Sequence, residues 1–152
     1  MLAHLLATWF GCGHVPKAPG TAGAAGALIP AILLWQYLEA PPWWFALLAA
    51  AATPIGIWAA GSVARARSLK DPQIVVIDEV LGVWVALAGA TVLNWTSLLA
   101  AFALFRLFDI WKPQPVRKLE SLGGGVGIVA DDLMAGVYAA LVLFAAGCFN
   151  LY

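Results

Sequence analysis

The feature that most limits how this chain can fold is its set of long apolar runs without charge. Val80 to Phe105 holds 26 residues with no Asp, Glu, Lys or Arg, and Leu133 to Tyr152 holds 20 more. Thr21 to Leu38 and Trp43 to Ala64 are of the same kind. About 20 such residues wound as a helix cross a bilayer core. In lipid, only helices and closed barrels satisfy the backbone, and these runs are far too long for barrel strands. The chain is 63% hydrophobic and 11% charged, whereas a soluble domain carries about 25% charged residues. The expected fold is all-α: a polytopic helical membrane protein of about four to five apolar helices plus a short N-terminal interfacial helix, forming one domain over 1–152.

Other properties exclude whole classes of function. Net charge is zero, so no basic field attracts nucleic acid. Cys12 and Cys148 stand far apart and are expected to be free thiols rather than a disulfide or metal ligands. MLAHLLATWF lacks a basic segment before its apolar residues and is not expected to act as a signal peptide.

Taken in order, residues 1–11 suggest a helix too short to span, with Leu2, Leu5, Leu6 and Trp9 at helical spacing. GCGHVPKAPGTAG, residues 11–23, is rich in Gly and Pro and predicts a loop. A first span then runs to Leu38, a tight turn follows at 39–42, and a second span runs to Ala64. The 65–79 connection carries Arg65, Arg67 and Lys70, whereas the 39–42 turn carries neither Lys nor Arg. Positive residues favour the cytoplasmic side, so residues 65–79 are expected there, together with Lys17.

The run from 80 to 105 fits either one span or a hairpin broken at Asn94-Trp95-Thr96-Ser97, with legs at 80–93 and 97–111. Arg106, Lys112, Arg117 and Lys118 favour the hairpin, because it returns them to the cytoplasmic side. Pro113 and Pro115 stop a helix at Trp111. Gly123, Gly124, Gly125 and Gly127 predict a turn or loop, after which Asp131-Asp132 open a last helix over 133–149.

The charges that remain are few and placed for chemistry. Asp78-Glu79 and Asp131-Asp132 each precede an apolar run. A helix start alone accounts for one such pair. Two pairs on one membrane face also form the oxygen-rich set that Mg²⁺ takes. Arg106 and Asp109 share a helical face at i, i+3, as an ion pair near the apolar boundary. Lys112, Arg117 and Lys118 fit lipid headgroups or, with Arg106, the oxygens of a phosphate. Thr21 suits a helix start, and His14 is a lone candidate acid. The inventory suits metal-assisted chemistry on a phosphate at headgroup level, with either water or an Asp as nucleophile.

Four blocks carry a resemblance: PKAPGTAG (16–23), DPQIVVIDEVLG (71–82), FRLFDIWKPQPVRKLE (105–120) and GGVGIVADDLMAG (124–136). In this order and spacing they resemble the phosphatidylglycerophosphatase A family. The blocks cover about a third of the chain, and Ala24 departs from the Ser expected there. The resemblance implies a phosphatase that removes the terminal phosphate of phosphatidylglycerophosphate. It implies dependence on Mg²⁺ and a place in the bacterial inner membrane, and the Lys and Arg positions put the expected active site on the cytoplasmic face. It carries the catalytic role to Asp78, Asp109, Asp131 and Asp132, and metal binding to Asp78, Glu79, Asp131 and Asp132. Thr21, Arg106, Lys112 and Arg117 are the matching candidates for substrate binding. The phospholipid substrate and membrane lipids are the expected partners.

Two other classes fit less well. A small membrane transporter places polar groups near the midplane in broken helices, whereas these charges cluster at span ends. A phosphatase for another lipid phosphate would use the same residues.

Overall fold

The computed structural model describes all residues, Met1–Tyr152. It is all-helical. The helices are α1 (Leu2–Ala7), α2 (Pro19–Leu38), α3 (Trp44–Arg67), α4 (Ile77–Ala88), α5 (Trp95–Trp111), α6 (Val116–Leu119) and α7 (Gly124–Cys148), with a 3₁₀ turn at Cys12–His14. Three of them, α2, α3 and α7, are long and apolar enough to cross a membrane. With α4 and α5 they make five apolar helices beside the short α1.

The 80–105 run is divided, as the hairpin expectation required. The break lies earlier than expected, at Gly89 to Asn94. Asn94 caps α5: its Oδ1 accepts from Ser97 N–H at 2.8 Å, and Asn94 N–H donates to Ser97 Oγ at 2.9 Å. Trp95, Thr96 and Ser97 therefore form the first turn of a helix rather than the turn itself. Arg106 and Asp109, late in α5, line a cavity with Asp78 and Glu79 at the start of α4. The second leg thus returns to the level where the first began.

Two expected loops are partly helical. α2 already begins at Pro19 and α7 at Gly124. Pro suits a first helical position because its missing N–H has no intrahelical acceptor there. Gly124, at φ +66° with open space around it, makes the turn into α7, whereas Gly23 and Gly125 serve close contact. A Cβ on Gly23 would lie 2.6 Å from Val76 Cβ, and one on Gly125 would lie 2.0 Å from the Ile57 carbonyl oxygen. Asp131 and Asp132 consequently sit two turns inside α7 and do not open it. Asp78 and Glu79 lie in the first turn of α4, behind Val76, and make no cap bond.

α7 is the central post. It packs on α3, α4 and α5. α4 and α7 run parallel, with Gly82 against Gly136 and Gly89 against Ala140. Phe45, Phe105, Leu81, Leu87, Leu98 and Leu143 fill the fully buried core. Trp84 Nε1 donates to the Ala27 carbonyl at 3.1 Å, which fixes α2 on α4. α1 is tied in by the Val76 N–H bond to the Ala7 carbonyl, 2.8 Å. At one end of the bundle α2 and α4 begin, α5 ends and α7 enters; Gly61 beside Gly125 brings the end of α3 to the same level. All eight Lys and Arg residues fall on the segments at that end.

Candidate active site

Four helices meet around a cavity of about 410 Å³. α2 contributes its first turn, Pro19 to Thr21, with Lys17 and Ala18 just before it. α4 contributes Asp78 and Glu79, α5 contributes Arg106 and Asp109 with Lys112 just beyond, and α7 contributes Ile128, Asp131 and Asp132. Asp71, Gln73 and Val75 come from the segment leading into α4. Six carboxylates face three basic side chains. Three of these carboxylates, Asp78, Asp131 and Asp132, are buried, and negative charge this close suits a bound cation.

The place for it is specific. Carboxylate oxygens of Asp78, Glu79 and Asp132 lie within 4.8 Å of one another. Asp78 and Asp132 are 8% and 4% exposed. Asp78 Oδ1 and Glu79 Oε2 are buried without any hydrogen-bond partner. Buried oxygens of this type are normally satisfied, and a hard divalent cation satisfies an all-oxygen set.

Asp131 is held differently. Successive residues on a helix point about 100° apart, so Asp132 faces α4 while Asp131 turns to Lys112. Lys112 Nζ donates to Asp131 Oδ2 at 3.0 Å and reaches Glu120 Oε1 at 3.3 Å. Partial burial works against the Lys112 charge. The Asp131 hydrogen bond and the Asp131 and Glu120 charges outweigh it, and the ammonium titrates above the usual lysine range. The other oxygen of Asp131, Oδ1, is buried and unpartnered.

Arg106 is gripped by Asp109 one turn on, through Nη1 and Oδ2. The Arg106 guanidinium also borders α2: a Cβ on Gly20 would lie 3.2 Å from Arg106 Nη1 and 2.4 Å from Glu79 Oε1. Glycine here lets α2 start beside both groups without pushing the Glu79 carboxylate or the Arg106 guanidinium aside. No side chain caps α2, so the Gly20 and Thr21 N–H groups lack intrahelical acceptors.

The cavity therefore brings together Thr21, Asp78, Glu79, Arg106, Asp109, Lys112, Asp131 and Asp132. Arg117 stands apart, exposed on α6. His14 is also exposed, outside the cavity lining, with its ring 5.3 Å from that of His4. Asp71 and Gln73 were not singled out from the sequence. Asp71 and Gln73 are polar residues in the otherwise apolar approach to Asp78, which is the signal that could have found them.

No solved structure matches the chain. A Bacteroides thetaiotaomicron protein provisionally named a phosphatidylinositol-3-phosphatase is 45% identical over 143 residues, covering 91% of this chain and 89% of that one. The Escherichia coli protein named phosphatidylglycerophosphatase A is 35% identical, over 95% of this chain and 83% of its own. The Haemophilus influenzae protein of the same name is 39% identical, over 93% and 86%. The family described as phosphatidylglycerophosphatase A matches residues 5–147, and the chain belongs to that family.

Proposed function

We propose that this chain hydrolyses the terminal phosphomonoester of phosphatidylglycerophosphate, giving phosphatidylglycerol and inorganic phosphate. The observation that carries this is the buried trio Asp78, Glu79 and Asp132 beside Arg106, in one cavity of a membrane protein of this family. The reaction takes place at the cytoplasmic surface of the bacterial inner membrane, since every Lys and Arg lies on segments at the cavity's end of the bundle.

Each residue has a role that its surroundings support. Asp78, Glu79 and Asp132 would hold Mg²⁺. When bound, the ion supplies a Lewis acid for a phosphoryl oxygen and acidifies a water. Arg106 takes phosphate oxygens, and Asp109 keeps its guanidinium aimed. The free N–H groups of Gly20 and Thr21 add donors on the other side of the phosphate. Asp131 uses its unpartnered oxygen to accept the proton of the attacking water. Lys112 keeps Asp131 in place. Arg117, outside the cavity, meets the surrounding anionic headgroups.

The name of the Bacteroides relative favours a second reading, phosphatidylinositol 3-phosphate as substrate. Both lipids carry a phosphomonoester on a headgroup that is joined to the lipid by a phosphodiester. The test is phosphate release by the purified full chain from each lipid in mixed micelles with Mg²⁺. Faster release from phosphatidylglycerophosphate is expected. Faster release from the inositol lipid would move the assignment to the second reading, and no release from either would sink both.

A further inference from the structure

A second groove, of about 290 Å³, opens beside the cavity and shares Lys17, Pro19 and Gln73 with it. Its charge character is the reverse. His14 and Lys17 are its only ionisable lining groups, and no carboxylate lines it. Its walls are fixed. A Cβ on Gly13 would lie 2.0 Å from the Ile74 carbonyl oxygen, so the 11–17 loop is pressed onto the segment before α4. Lys17 is held at φ +72°, a left-handed conformation that lysine rarely adopts and that tends to persist at functional sites.

The chemistry of the substrate gives this groove a use. A lipid whose terminal monoester occupies the acidic cavity carries its phosphodiester only a glycerol unit away. That second anion cannot rest on carboxylates and needs a basic neighbour just outside. We propose that the groove formed by His14, Lys17 and Gln73 binds the phosphodiester of the substrate and selects lipids that carry it in addition to a terminal monoester. This rests on the reading of the cavity as a lipid phosphomonoesterase site.

The test compares three substrates: phosphatidylglycerophosphate, its water-soluble deacylated headgroup, and a diacylglycerol monophosphate, which has a monoester but no diester. Lys17→Ala and His14→Ala are set against wild type and Lys17→Arg. Lys17→Ala is expected to raise KM about tenfold for the first two substrates, as befits one charge-assisted contact, with kcat within about twofold. Because Lys17 also borders the cavity, KM for the monophosphate lipid is expected to rise by less than about threefold, so discrimination against it falls, and Lys17→Arg restores most of it. An unchanged KM in both alanine variants would overturn the proposal. So would a rise confined to the acylated substrate, which would mean that the groove meets bulk lipid headgroups. A wild-type enzyme inactive on every lipid would instead remove the underlying reading.

Discussion

A Cβ on Gly136 would lie 2.4 Å from the carbonyl oxygen of Gly82, so α7 and α4 meet backbone to backbone at this point. Asp132 and Asp78 each lie four residues, about one helical turn, before these glycines. The helices run parallel, so the crossing that joins Gly82 to Gly136 also sets Asp78 beside Asp132. Close approach of two apolar helices through small residues thus builds the buried carboxylate cluster.

Gly136→Ala is therefore expected to damage both fold and site. Forcing a methyl into this contact costs about 1–3 kcal/mol, and a displacement of about 1 Å at the cluster costs up to roughly 100-fold in rate. Thermal unfolding in detergent and phosphate release measure the two effects. Gly123→Ala is the control, because a Cβ there meets nothing within 4 Å; it should leave both unchanged.

Arg106→Lys should fail to replace Arg106. Lysine keeps the charge but loses the planar fork that Asp109 grips on one side and that the proposed role needs for phosphate on the other. A fall in kcat/KM of about 100-fold is expected for Arg106→Lys, with a somewhat larger fall for Arg106→Ala. Near wild-type kinetics for the lysine variant would remove Arg106 from phosphate binding.

The Lys112–Asp131 pair predicts a pH response. The Lys112 pKa is raised in the folded protein. The pair's stabilisation is therefore fully present below the unfolded lysine value of about 10.4 and is lost only as pH rises through the higher folded value. Lys112→Gln should lower Tm by the same amount at pH 7 and pH 9, and lower kcat by about tenfold or more through a displaced Asp131. A Tm difference that vanishes between pH 7 and 9 would contradict this.

Sidedness is open to labelling. In a variant lacking Cys12 and Cys148, a cysteine at Lys118 should react only from the cytoplasmic face, and one at Glu39 only from the other. Both residues are exposed, on segments at opposite ends of the bundle. Labelling of position 118 from the periplasm would reverse the orientation.

The membrane class, the hairpin and the charged residues were legible in the sequence because each rests on a strong signal. Long charge-free runs force helices, and the Lys and Arg positions favour the return of the 80–105 run. What was hidden is the behaviour of glycine between packed helices. Gly20, Gly23, Gly125 and Gly127 carry the local signature of loops, yet they lie inside α2 and α7, where neighbouring backbones and side chains leave no space for a Cβ. That is why Asp131 and Asp132 seemed to open a helix when they lie within one. The division of the four acidic residues, three clustered and one tied to Lys112, was hidden as well. It depends on how α7 is rotated against α4, which adjacent letters do not encode.

The most direct test of the carboxylate cluster is Mg²⁺-dependent phosphate release from phosphatidylglycerophosphate by Asp132→Asn, with folding checked by thermal unfolding. Asn keeps the shape and removes the charge. Wild-type release should cease with chelator and return with Mg²⁺. The variant should remain folded yet fall at least about 100-fold in kcat, with a raised Mg²⁺ requirement. Release by Asp132→Asn at the wild-type rate and the same Mg²⁺ requirement would contradict a cation held by Asp78, Glu79 and Asp132.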